Sequence, residues 1–346
     1  MPVFDAHDFD GHEQVTFCHD RKSGLKAIIA IHSTNLGPAL GGCRFWPYAS
    51  EDEAIKDVLR LSRGMTYKAA LADLQLGGGK AVIIGDAATE KTPEKLRAFG
   101  RFVQRLHGLY ITAEDVGTTT KDMNTIYEET RYVVGRETNV GGSGDPSILT
   151  SFGVFTGIRA CVYYKMGKKD LSGVRVAVEG LGHVGTDLVK RLSEAGASLV
   201  VTDINKPLLE KVASQYAAQA VGIEEIFSAD VDVFAPCALG GILNDKTIPL
   251  LKCQIVAGSA NNQLAEPYHA KALEEREILY APDYLINSGG LINVSYEGPN
   301  YDLQEVMTHV EGIYYTLLEI FETAKAHHVT TSEASDSLAK DRFNKK

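Results

Sequence analysis

"VRVAVEGLGHVGTDLVKRLSEAGASLVVTD", residues 174–203, is the stretch on which the fold turns. An apolar run (174–179) leads straight into Gly180-x-Gly182-x-x-Gly185, and the glycines open a helical pattern. A second apolar run then ends on Asp203, 18 residues after Gly185. Three glycines at this spacing are weak evidence alone; their place between a strand, a helix and an acidic strand end carries the reading. Gly180 permits the tight turn, Gly182 lets a diphosphate approach the backbone, and Gly185 lets helix pack on strand. Leu181, His183 and Val184 fill the turn and the start of the helix, whose free N–H groups face the anion. Asp203 would accept hydrogen bonds from an adenosine ribose and repel a 2′-phosphate. No arginine follows it in "DINKP" (203–207), so NAD is favoured over NADP.

Outward from this motif the same alternation continues. Strand candidates lie at 198–203, 231–236, 253–258 and 278–282, separated by helical stretches, as a parallel sheet covered on both faces requires. Ligands of such sheets bind beyond the carboxyl ends of the strands. Those ends read "PCALGG" (236–241), "GSANNQ" (258–263) and "NSGG" (287–290), which places Asn261 and Asn262 near a nicotinamide unless they merely form a turn.

The N-terminal third is also α/β. "LKAIIAIH" (25–32) and "AVIIG" (81–85) read as strands, "LYITAED" (109–115) as a strand ending in two acids. Ser50 to Glu53 forms a capping box, and Thr92-Pro93 is a second helix start. "LADLQLGGGKAVIIGD" (71–86) invites comparison with a phosphate loop, and fails it. Leu74 stands where the first glycine belongs and Ala81 follows Lys80, so no hydroxyl is present for magnesium. Lys68 and Lys80 have apolar and glycine-rich flanks, unusual for surface lysines. A lysine acts as a base only when burial or a second cation brings its pKa down toward neutral from about 10.4. With Asp115 as proton relay, this arrangement suits hydride chemistry on a small anionic substrate.

The expected organisation is a two-domain α/β chain. Residues 1–138 bind and transform substrate, 139–327 form a Rossmann-like NAD domain, and a tail, 328–346, can pack back on the first domain. The chain has 346 residues, is 44% hydrophobic and carries a formal charge of −10. That charge, without any basic block, argues against nucleic acid as a partner. No apolar run approaches the roughly 20 residues of a membrane span, and the N-terminus lacks a signal-peptide pattern. Five scattered cysteines without C-x-x-C fit reduced thiols, and no metal is expected.

Six ordered stretches resemble the family of leucine, valine, phenylalanine and glutamate dehydrogenases, closest to its leucine/valine members. They are "LGPALGGCRFWPY" (36–48), "GMTYKAALADLQLGGGKAVI" (64–83), "TAEDVGTT" (112–119), "GLGHVG" (180–185), "AGSANNQL" (257–264) and "APDYLINSGGLINV" (281–294). The resemblance implies a substrate domain and an NAD domain with a cleft between them, in a cytoplasmic homo-oligomer, a dimer or octamer. It implies Lys80 as the catalytic lysine, Asp115 as the second acid/base and Lys68 as the ligand of the substrate α-carboxylate. Asn262 would hold the α-carboxylate or amino group, Ser147, Thr150 and Asn261 would lie near the nicotinamide, and Gly41, Gly42 and Met65 would line the substrate. On this reading the glycines around Lys80 make room for substrate and nicotinamide.

Glutamate-specific members place a lysine and a serine around the distal carboxylate; this chain has Leu40 and Val294 there, with Ala113 and Leu291 nearby. An apolar wall leaves a γ-carboxylate unpaired at a cost of several kcal/mol. Leucine-type members usually pair alanine with valine at positions 113 and 291, phenylalanine-type members glycine with leucine. Ala113 with Leu291 mixes the two. The expected activity is NAD-dependent deamination of branched-chain L-amino acids, with a phenylalanine-preferring dehydrogenase as the alternative. A non-catalytic NAD- or amino-acid-binding regulator would be expected to lack one of Lys68, Lys80 or Asp115, and all three are present. A 2-hydroxy-acid dehydrogenase would need a histidine–acid pair after the dinucleotide motif, for which no candidate is found.

Overall fold

The computed structural model describes residues 3–344. The chain forms two compact units, one of Met1–Asp145, Asn293–Asp302 and Ala339–Lys346, the other of Pro146–Ile292 and Leu303–Leu338.

The first unit runs β1 (Gln14–Asp20), β2 (Leu25–Ser33), β3 (Ala39–Trp46), α1 (Glu51–Leu71), β4 (Gly77–Ile84), α2 (Pro93–Arg105), β5 (Tyr110–Glu114) and α3 (Thr120–Tyr127). Its sheet has the order β1-β2-β4-β3-β5. β2 pairs antiparallel with β1 and β4, while β3 pairs parallel with β4 and β5. Both faces are covered. Ile28, Ala30 and Val82 pack with Ala54, Ile55, Val58 and Leu59 of α1. On the other face Ile29, Ile31, Ala81 and Ile83 meet Leu96, Phe99 and Val103 of α2 and Met123 and Ile126 of α3. Both expected caps start their helices: Ser50 Oγ accepts from Glu53 N (3.2 Å) and Thr92 Oγ1 from Lys95 N (3.2 Å). The reciprocal bond of the first goes from Ala49 N, not Ser50 N, to Glu53 Oε2 (3.0 Å).

Two strands here had no counterpart in the sequence reading, β1 and β3, and β4 begins at Gly77 instead of 81. Glycine weakens a strand pattern, and β3 holds two glycines, β4 three. What keeps them extended is close approach. A Cβ on Gly41 would lie 1.7 Å from Gly79 O, and one on Gly77 would lie 2.0 Å from Ser33 O.

The divisions expected at 138/139 and 327/328 fall elsewhere for reasons that local patterns do not carry. Glu297, almost fully buried, accepts from Gly135 N (2.7 Å), Ser143 N (2.9 Å), Ser143 Oγ (2.9 Å) and Arg136 Nε (3.2 Å). These bonds tie 293–302 to the first unit. The final residues return to it because Arg342 Nη1 donates to Leu71 O (3.0 Å) and Ala70 O (3.3 Å), carbonyls that end α1. Phe343 packs on Tyr67, ring centroids 5.5 Å apart.

Beneath Phe343 sits a buried histidine pair, His12 and His32, edge to face at 4.9 Å. His12 Nε2 faces Leu59 O and Ser62 Oγ, each at 3.0 Å, and His32 Nδ1 faces Thr66 Oγ1 at 2.9 Å. Burial, and then the neighbouring His12, push His32 down to about 4; burial also lowers His12. Asp10, 3.9 Å from His32 Nε2, is half exposed and offsets little of this. The unfolded chain therefore binds more protons between pH 6.5 and about 4, and stability falls as pH drops through that window. For His32 the loss approaches about 3 kcal/mol. Denaturant titrations at pH 7 and 4.5 should show it, and His32→Asn should flatten the dependence; an unchanged slope in that variant would clear His32 of the effect.

The second unit contains α4 (Ser147–Met166), β6 (Arg175–Glu179), α5 (His183–Glu194), β7 (Ser198–Thr202), α6 (Lys206–Gln215), β8 (Gln219–Ala220), β9 (Val233–Pro236), β10 (Ile255–Val256), α7 (His269–Glu275), β11 (Leu279–Tyr280) and α8 (Asp283–Ile286). α9 (Gly289–Ser295), α10 (Leu303–His327) and α11 (Thr331–Asn344) follow. The six strands take the order β11-β10-β9-β6-β7-β8. All pairs are parallel. The strand order reverses beside β6, where a doubly wound sheet opens its ligand crevice. Among the described residues no helix is long and apolar enough to cross a membrane.

Candidate active site

In the first unit the chemistry gathers on the sheet face that carries α1. Lys80 pairs with Ala30 across β4 and β2, and Leu40 of β3 pairs with Gly78 on one side and Ile111 on the other. Gly42 pairs with Ala113. Because side chains alternate along a strand, Leu40, Gly42, Lys80 and Ala113 share this face, and Asp115 follows two residues after Ala113. Met65 and Lys68, three apart, lie partly buried on α1, which covers it. Gly41 points the other way; its carbonyl accepts from Tyr110 Oη (2.6 Å).

The space beside the glycine run is filled by the chain itself, not left for ligand as the sequence reading had it. A Cβ on Gly78 would meet Thr66 N at 2.0 Å, and one on Gly79 would meet Tyr110 Cδ2 at 2.7 Å. Gly42 is different. Its Cβ would meet Glu114 O at 2.5 Å and Asp115 Cβ at 2.8 Å, so its lack of a side chain is what admits Asp115 to Lys80.

Lys80 is only 6% exposed, and its Nζ donates to Asp115 Oδ2. The other oxygen, Oδ1, accepts from Val116 N (2.6 Å) and Arg44 Nε (3.2 Å). Arg44 Nη1 in turn donates to Asp57 Oδ2 (2.8 Å) on α1, which also accepts from Tyr48 Oη (2.6 Å). Burial alone would raise the Asp115 carboxyl. Lys80 and then Arg44 overcome it and hold the group at about 2. Asp115 is thus a permanent carboxylate near neutrality. Arg44, Asp57 and Tyr48 were not singled out from sequence. Nothing local marked Arg44, which the register of β3 against β5 brings to Asp115.

In the second unit the turn after β6 is built as the motif requires. Gly180 has φ +96°, and a Cβ there would strike Ala238 Cβ at 2.7 Å. A Cβ on Gly185 would lie 1.9 Å from Gly180 O, so only glycine lets α5 start this close to the strand. Gly182 caps α5 with no side-chain acceptor, and open space lies where its Cβ would be. A helix start left open in this way suits a bound anion. Asp203 is fixed by Leu181 N on Oδ2 (2.6 Å) and Asn205 N on Oδ1 (2.7 Å). Each oxygen keeps a lone pair for a ribose hydroxyl. These features fit a dinucleotide.

Asn261 and Asn262 are exposed at the turn after β10, Asn262 with φ +52°. The turn is braced by residues that sequence reasoning did not assign. Asn287 Nδ2 donates to Ser259 O (3.0 Å) and Asn261 Oδ1 (2.7 Å), and Gln263 Nε2 donates to Gly258 O (2.8 Å) and Ala260 O (3.0 Å). Ser147 starts α4, and Thr150 Oγ1 donates to Pro146 O (3.0 Å) with Gly290 packed against it. Leu291 is buried in this second unit, whereas Val294 is buried in the first, beside Gly135.

Known proteins resemble this chain along nearly its whole length. Residues 12–132 match the model of the "Glu/Leu/Phe/Val dehydrogenase, dimerisation domain", and 201–342 match "Glutamate/Leucine/Phenylalanine/Valine dehydrogenase". The chain is 53% identical over 343 residues to leucine dehydrogenase of Thermoactinomyces intermedius, covering 99% of this chain and 94% of the relative. It is 51% identical over 342 residues to phenylalanine dehydrogenase of Caldalkalibacillus thermarum (strain TA2.A1), covering 97% and 92%. The crystal structure of L-tryptophan dehydrogenase from Nostoc punctiforme superposes with a TM-score of 0.86 at 51% identity, over 96% of each chain.

Proposed function

Because this chain belongs to the glutamate/leucine/phenylalanine/valine dehydrogenase family, we propose that it catalyses reversible, NAD-dependent oxidative deamination of leucine, valine and isoleucine to 2-oxo acids and ammonia. The observation that carries this reading is the buried Lys80–Asp115 pair on a sheet face shared with Leu40 and Ala113. The first unit, on this proposal, holds and transforms the amino acid, and the second carries NAD. Accepting the hydride from Cα is the chemistry that NAD supplies when bound. Lys68 and Asn262 fix the substrate α-carboxylate and amino group, with Gly41, Gly42 and Met65 along it. Lys80 Nζ exchanges protons with the water that adds to the substrate imine and with the departing ammonia. Asp115, held ionised, orients that amine and steadies its charged form. Leu40, Ala113, Leu291 and Val294 receive the side chain. NADH formation with a panel of L-amino acids tests the whole.

A second reading has its own support. Ala113 with Leu291 combines features of leucine- and phenylalanine-type members, and relatives named for phenylalanine and tryptophan are about as similar as those named for leucine. Identity alone does not choose the side chain; turnover of L-phenylalanine in the same panel does.

For the cofactor, the proposal is NAD over NADP, because Asp203 would sit against a 2′-phosphate. Asp203→Ala should narrow the NAD preference in kcat/KM by about tenfold or more, through the lost charge repulsion and ribose bonds. A wild type that already prefers NADP would reverse the assignment. Self-association, as a dimer or octamer, and residence in the cytoplasm complete the proposal.

A further inference from the structure

Glu179, the last residue of β6, stands immediately before the Gly180 turn. Its side chain is 8% exposed, and Oε2 is buried with no hydrogen-bond partner. A carboxylate in that position is left with one oxygen unsatisfied inside the fold, an arrangement proteins avoid. Nearby, Asp203 at the end of β7 supplies one negative charge already, bound to the amide of Leu181 in the same turn. The turn that these two acids underlie is the one shaped for a diphosphate, which adds further negative charge.

We propose that Glu179 is held as the neutral acid when NAD is bound, so that NAD binding takes up a proton from solvent. This rests on the reading of the Gly180 turn as the dinucleotide site and concerns no step of the reaction. The groups around Glu179 all bear on it. Asp203 opposes its ionisation, and the N–H groups of Ala238 and Cys237 after β9 favour it. The Cys237 thiol is pushed up to about 11 and stays neutral. His183, at the start of α5, is the one other ionisable side chain in the turn itself. Burial is the largest influence on Glu179, Asp203 comes after it in the same direction, and together they raise the carboxyl above its ordinary range. A diphosphate close by pushes it further the same way.

Proton uptake follows by linkage. Where free and bound forms differ in proton content, NAD affinity falls with rising pH, by at most about tenfold per unit for one proton. The test is calorimetric titration of the full-length protein with NAD at pH 6, 7 and 8, in buffers of different ionisation enthalpy. Wild type should take up a fraction of a proton and bind about fivefold or more weaker at pH 8 than at pH 6. Glu179→Gln should abolish the uptake and flatten Kd to within about twofold, whereas His183→Gln should keep both. Uptake that survives Glu179→Gln and vanishes in His183→Gln would overturn the proposal. So would NAD binding to wild type without uptake, a result that does not depend on how the variants fold. No NAD binding to wild type at any pH would sink the dinucleotide reading itself, and the proposal with it.

Discussion

Lys80→Ala is expected to lower kcat by about a hundred- to ten-thousandfold, the range spanned by a positioned acid–base group, while NAD binding stays within about twofold of wild type. The two halves of that expectation come from different places in the fold. Lys80 stands on β4 in the first unit, and the dinucleotide turn lies after β6 in the second. Removing the ammonium also strips Asp115 of one of its two cations, leaving Arg44 Nε at 3.2 Å as the remaining charged partner. A carboxylate that is 13% exposed then loses compensation, so part of the loss is structural. Lys80→Arg separates the causes. It keeps a cation against Asp115 but cannot release a proton near neutrality, so stability should recover and turnover should not. Lys68→Ala should behave otherwise, raising KM strongly as well as slowing the chemistry, as loss of a substrate carboxylate contact does. Near-wild-type kcat in Lys80→Ala at saturating leucine removes Lys80 from the mechanism. An unchanged KM in Lys68→Ala exchanges or cancels the two lysine roles.

The difference between what could and could not be read beforehand follows the range of the interactions. Gly180, Gly182 and Gly185 answer to constraints within one turn, and 18 residues suffice to reach Asp203. Lys80 announced itself through flanks that surface lysines lack. Arg44, by contrast, meets Asp115 across 71 residues, and only the register of β3 against β5 puts them together. The same holds for Asn287, which fixes Asn261 from 26 residues away. β3 was invisible as a strand because its glycines erase the alternation, although they exist to let β4 and Asp115 approach. Glu297 and Arg342 redraw the division of the chain through single buried or capping groups, each satisfying donors or acceptors far away in sequence.

Leucine should exceed glutamate in kcat/KM by about a thousandfold or more, since an unpaired buried carboxylate costs several kcal/mol and each 1.4 kcal/mol is a factor of ten. The sheet face beside Lys80 presents Leu40, 3% exposed, and Ala113, 7% exposed, whose direct strand partners are Gly78, Ile111 and Gly42. The cation on α1, Lys68, is committed in this scheme to the α-carboxylate and Lys80 to Asp115, which leaves a second carboxylate at Leu40 without a cation of its own. A branched aliphatic side chain gains there instead, about 0.8 kcal/mol for each buried methylene. Size is then the remaining discriminant, and it is a weaker one. Leu40→Ala or Ala113→Gly should move preference toward phenylalanine by no more than roughly ten- to two-hundredfold, the reach of a methylene-sized change in an apolar pocket. The measurement is kcat/KM for leucine, valine, phenylalanine and glutamate in wild type and both variants. Efficient glutamate turnover by wild type would mean that a cation reaches the side-chain end of the site and that the apolar wall lies elsewhere. A phenylalanine-to-leucine ratio that ignores both substitutions would place Leu40 and Ala113 outside the pocket while leaving Lys80 and Asp115 untouched.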